Sequence, residues 1–84
     1  MYDLYLTVRS VTRGQKGREA LAGAGIRCAL LRAPRVIAPG GCAYALALSR
    51  KEGERALPLL ERAAVPVEGA WLRDADGAFL RVSP

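Results

Sequence analysis

Histidine is absent from this chain of 84 residues. That removes the commonest general base and the commonest zinc ligand. Cysteine occurs only twice, too few for an iron–sulfur cluster. The separation between Cys28 and Cys42 matches no zinc or copper pattern, so no metal or other cofactor is expected. Aromatic residues make up 6% of the chain, and no glycine-and-aromatic RNA-recognition signature appears. Nucleic acid is therefore not an expected partner. No apolar run approaches bilayer-spanning length, so no membrane association is expected. Met1-Tyr2-Asp3-Leu4 has no basic flank, which argues against a secretory signal. Two cysteines without one point to a reducing cytoplasm and free thiols. The chain is also short: folding at this length buries roughly 60–65% of the unfolded surface. An enzyme with a cleft between two domains is excluded, and a single domain over residues 1–84 is expected.

Hydrophobic residues, at 51%, suffice for a modest core, and 13 Lys+Arg against 8 Asp+Glu give a formal charge of +5. Arg9, Arg13, Lys16, Arg18, Arg27, Arg32 and Arg35 precede most of the acids, which makes the first half the anion-facing half. Tyr2 to Val8 alternates and predicts a half-buried strand, with Tyr5 and Thr7 turned away from the core face. Ser10 or Thr12 offers a helix N-cap, and Thr12 with Gln15 fits a capping box. The helix should run to about Ala24 and stop at Gly25. Gly14, Gly17 and Gly23 each weaken it by about 1 kcal/mol relative to alanine, so it must lean on packing. Gly17 is the position suited to close approach to a sheet. Ile26 to Arg32 predicts a second strand, Pro34 to Gly41 a loop, and Cys42 to Ser49 a third strand. Ser49 with Glu52 suggests another capping box, opening a helix to about Ala64. Pro58 implies a kink or a later start. Val67 to Arg73 and Ala78 to Val82 read as strands joined at the Asp74-Ala75-Asp76-Gly77 turn.

This order is the ferredoxin-like βαββαβ plan, an α+β fold with two helices on one face of an antiparallel sheet and an extra C-terminal hairpin strand. The plan brings the start of the third strand, and so Cys42, to the N-terminus of the first helix. Unpaired N–H groups and the helix dipole there favour a thiolate. Thr12, Arg13 and Arg35 should add hydroxyl and positive charge. Gly40 and Gly41 let backbone N–H groups approach a bound anion or sulfur adduct. Cys28, early in the second strand, reads as packing and lies too far from Cys42 for a disulfide.

Several stretches resemble one family. These are Ser10 to Thr12, Ala24-Gly25-Ile26, Pro34-Arg35, Ile37, and Gly40-Gly41-Cys42-Ala43, with Glu54-Arg55-Ala56-Leu57 and Leu59-Leu60-Glu61 in the second helix. Together they resemble the Se/S carrier protein-like family, a small domain once known only as a domain of unknown function. Pro34-Arg35 followed by Cys42 is the sharpest part of the likeness. The family's serines before the cysteine are Ala38, Pro39, Gly40 and Gly41 here, and its following glycine is Ala43, which leaves backbone N–H groups as the donors. The resemblance implies an accessory carrier rather than an enzyme. Its Cys42 thiolate would take sulfur or selenium from a donor protein and pass it to an acceptor. The alternative reading is a non-catalytic binding or assembly module. An apolar Ala43/Ala45/Ala47 stripe would form an open sheet face for a homodimer, or the basic half would bind a small anion.

Overall fold

The computed structural model describes residues 2–38 and 43–82. Its elements run β1 (Leu4–Val8), α1 (Val11–Gly23), β2 (Cys28–Arg32), β3 (Tyr44–Leu48), a single 3-10 turn (Arg50–Glu52), α2 (Gly53–Arg62), β4 (Gly69–Arg73) and β5 (Phe79–Val82). The five strands form one sheet in the order β2-β3-β1-β4-β5. Every neighbouring pair is antiparallel. This is the ferredoxin-like plan with a fifth strand added outside β4. No described helix is long and apolar enough to cross a membrane.

α1 is capped by Ser10, whose hydroxyl accepts from the Arg13 N–H at 3.2 Å. Thr12 lies inside the first turn rather than capping it, so the Thr12–Gln15 box is not the one used. The helix ends in a Schellman motif. Ile26 N–H donates to the Leu21 carbonyl at 2.9 Å and Gly25 N–H to that of Ala22 at 3.0 Å. Gly25 holds the left-handed conformation (φ 79°) that this motif requires. Gly14, Gly17 and Leu21 form the buried face of the helix. A Cβ at Gly17 would lie 2.8 Å from Leu46 Cδ1 and 3.0 Å from Leu60 Cδ2, and one at Gly14 would collide with Leu30 Cδ1. The bare glycine seam is what lets α1 sit down onto β2 and β3.

The start of α2 differs from the expected capping box. Ser49 makes no side-chain cap bond. Instead Asp3, brought alongside by the central strand, accepts from the Arg50 N–H at 2.8 Å. The short 3-10 turn then leads into α2 at Gly53, and Pro58 lies inside that helix on an exposed position. Pro58 has no N–H to donate to Glu54, and the helix still continues to Arg62. α2 closes with the same bond pattern as α1: Val65 N–H to Leu60 at 2.9 Å and Ala64 N–H to Glu61 at 3.0 Å. Here an alanine, Ala64, takes the left-handed position (φ 58°). Arg55 ties the two helices together by donating to the Ala24 carbonyl at 3.0 Å, at the negative end of α1.

The main core lies between sheet and helices. Leu6, Val8, Leu46 and Leu48 meet Leu21, Ile26, Leu60 and Val65 there. β1 is not half buried as its alternation suggested; all five of its residues are buried. The reason is a second, smaller cluster on the helix-free face. Ile37, from the segment after β2, packs with Tyr5 over Ala45 and Ala47. Phe79 meets the Tyr5 ring edge-on at 5.1 Å. Ala45 and Ala47 are therefore covered by the chain itself, and the alanine stripe is not an open docking face. Asp74 closes the β4–β5 hairpin. Its carboxylate accepts from the N–H groups of Asp76 and Ala78, both at 2.9 Å, and Gly77 takes a positive φ of 84°.

Candidate functional site

β1 ends at Val8 opposite the start of β3 at Tyr44, and α1 begins three residues later. Arg9 and Arg32 stand at strand ends here, and Arg13 and Arg35 lie on the segments leaving this end of the sheet. Arg81, paired with Trp71 and so level with Tyr5, lines a cleft together with Arg9. Arg32 rests on the Tyr44 ring, with its guanidinium carbon 5.9 Å from the centroid.

On the helix-free face at this end lies a cleft of about 350 Å³. Its floor is Thr7 and Gly69. Its sides are Trp71 and Arg81 on one flank, Arg9 and Glu68 at the rim, and Ile37, Ala38 and Ala43 opposite. The Thr7 hydroxyl is satisfied, donating to the Gly69 carbonyl at 3.2 Å. Arg9 Nη2 reaches Glu68 Oε1 at 3.5 Å, an exposed pair worth little in stability. Trp71 and Arg81 are direct cross-strand partners. The Arg81 guanidinium carbon sits 5.6 Å from the Trp71 ring centroid. Such stacking holds a long side chain in one place at a gain of about 0.5–1 kcal/mol.

The sequence-derived site residues distribute unevenly around this cleft. Cys42, Gly40 and Gly41 lie outside the described residues. Ala38 and Ala43, the described residues on either side of that segment, both line the cleft. Arg35, Thr12 and Arg13 are exposed at the same end of the fold but are not among its walls. Sequence reasoning named Arg9 only as one cation of the basic half, and gave Glu68, Trp71 and Arg81 no place in the site. The signal was nevertheless present: the Asp74–Gly77 turn sets the hairpin register, and that register places Arg81 directly across from Trp71.

Cys28 stands at the other end of the sheet, paired with Leu48. Burial pushes its thiol above the ordinary range, and Arg18 only partly pulls it back. A thiol so placed stays protonated at neutral pH, which fits packing rather than chemistry. Among the described residues, no three His, Cys, Asp or Glu side chains come together to hold a metal ion.

Searched against curated proteins and solved structures, the chain finds no match in either. Residues 3–72, from the residue before β1 to the last residue but one of β4, match the family described as "Putative Se/S carrier protein-like". β5, with Arg81, follows the matched span. With a match over most of its length, the chain belongs to the Putative Se/S carrier protein-like family.

Proposed function

We propose that the protein is a sulfur or selenium carrier whose working group is the Cys42 thiolate. The observation that carries this reading is the coincidence of family membership with a basic cleft flanked on both sides of the Cys42 segment by Ala38 and Ala43. The Cys42 thiolate attacks the outer sulfur of a donor protein's persulfide. The donor S–S bond breaks, a new S–S bond forms on Cys42, and the donor thiol leaves as thiolate. No external oxidant is consumed. Delivery is the same exchange in reverse, with an acceptor thiolate attacking the outer sulfur. A perselenide follows the same balance. Every species in the exchange is anionic, and the concentration of arginines at this end of the sheet favours the charged forms. The donor and acceptor are proteins met transiently in a reducing cytoplasm. Arg13 and Arg35, exposed at the same end of the fold, would meet them, with Thr12, Gly40 and Gly41 as the further groups of the proposed site.

The test uses protein with Cys28 replaced by alanine. Alkylation of Cys42 by a small electrophile should reach half its maximal rate well below the value of about 8.5 for an ordinary thiol. Incubation with a persulfide donor should add one sulfur at Cys42, read by mass spectrometry. An alkylation midpoint at or above the ordinary value, with no sulfur added, would refute the carrier reading.

A further inference from the structure

The cleft contains more than a positive environment. Gly69 has no side chain, and three groups converge above it. A Cβ there would lie 3.3 Å from Thr7 Oγ1, 3.3 Å from Trp71 Nε1 and 4.0 Å from Arg81 Nη2. The Thr7 hydroxyl is spent on the Gly69 carbonyl. The other two are pure donors, and among the described residues neither has a hydrogen-bond acceptor. Arg81 stacks on Trp71, which biases its fork toward the cleft before any ligand arrives. Arg9 faces the same space, engaged by Glu68, so two guanidinium groups stand against one carboxylate in the cleft wall. The volume, about 350 Å³, is that of a small-molecule site.

We infer that this cleft is a receptor for a small oxyanion, which accepts from the Trp71 indole N–H and the Arg81 guanidinium over Gly69, with Arg9 as the second positive charge. The ligand is either a free inorganic oxyanion or the carboxylate of a small organic molecule. The inference deepens the carrier reading by naming what the cleft beside the Cys42 segment recognises, and it rests on that reading only for the biological use of the anion. Binding itself needs no thiol.

Trp71 is the only tryptophan in the chain, so its indole N–H gives one unambiguous resonance. Full-length protein is titrated with inorganic phosphate and, separately, with acetate, each against chloride at matched ionic strength. At least one should shift the indole signal saturably, and the tighter arm identifies the source of the oxyanion. Arg81→Gln should weaken that binding roughly tenfold or more, because a charge-assisted bond is lost. Gly69→Ala, which fills the cradle, should weaken it as well. Arg81 is exposed on the outermost strand, so the Gln variant keeps the fold, checked by its unchanged amide spectrum. If neither anion moves the indole signal beyond chloride, or if Arg81→Gln binds like the parent, the inference is overturned. Anion binding without sulfur loading would instead overturn the carrier reading alone.

Discussion

The glycine seam of α1 makes one substitution act in opposite directions at two places on the same helix. At Gly23 an added Cβ meets nothing within 4 Å. Gly23→Ala should therefore gain only the backbone term, about 0.5–1 kcal/mol. At Gly17 the same methyl would stand 2.8 Å from Leu46 Cδ1, 3.0 Å from Leu60 Cδ2 and 3.4 Å from Val65 Cγ1. Leu46 and Leu60 are wholly buried, so neither can swing into solvent. Overpacking of that kind costs roughly 1–3 kcal/mol, and the propensity gain of about 1 kcal/mol offsets part of it. The net is a loss of about 1 kcal/mol, up to about 2. Urea unfolding followed by helical circular dichroism measures both variants on one scale. In a domain of this size 1 kcal/mol also moves Tm by roughly 4–8 °C, so the two variants should bracket the parent visibly. A Gly17→Ala protein as stable as Gly23→Ala would refute the account of how α1 reaches the sheet.

Two further outcomes follow from the other helix end and from the second cysteine. Ala64→Gly should stabilise the fold by about 0.5–1 kcal/mol, because a left-handed L-residue costs about 1–2 kcal/mol and glycine returns part of that as unfolded-state entropy; an unchanged or lower urea midpoint would contradict the strain at φ 58°. The Cys28 thiol is raised in the folded state by burial. Its contribution is therefore complete below the unfolded value near 8.5 and is lost as pH rises through the folded value. Urea midpoints should fall more steeply above that pH for the parent than for Cys28→Ala, and parallel curves would show that the thiol does not feel its surroundings.

Much of the architecture was legible because local signals agreed with one another. Ser10, Gly25 and the alternation of Leu4, Leu6 and Val8 each place an element boundary or a buried face, and the observed order β1-α1-β2-β3-α2-β4-β5 follows. Legibility failed where a distant residue did a local job. Asp3 caps the turn at Arg50, so the local pair Ser49 and Glu52 misled. Ile37 covers Ala45 and Ala47, so Tyr5 and Thr7 became interior although their spacing reads as a solvent face. The cleft was hidden for the same reason. Arg9, Glu68, Trp71 and Arg81 share no motif in the chain and meet only through sheet pairing. Cys42 and its glycines were read the other way, from the order of the elements and from a contiguous stretch that resembles a family, and they lie outside the described residues.

The central position of β1 has a consequence for the order in which the molecule comes into being. Thr7 and Gly69, which form the cleft floor, are 62 positions apart, and Arg9 and Glu68 at its rim are 59 apart. Such distant pairings close slowly, since the loop entropy must be overcome before the contacts form. On the ribosome, the segment bearing Cys42 is made while its central strand still lacks β4, and Arg81 is added later still. A chain released early, or one whose last hairpin has opened, would carry Ala38 and Ala43 without the Trp71–Arg81 flank that completes the cleft. The Trp71–Arg81 flank of the cleft thus exists only once synthesis and folding have reached the far edge of the sheet.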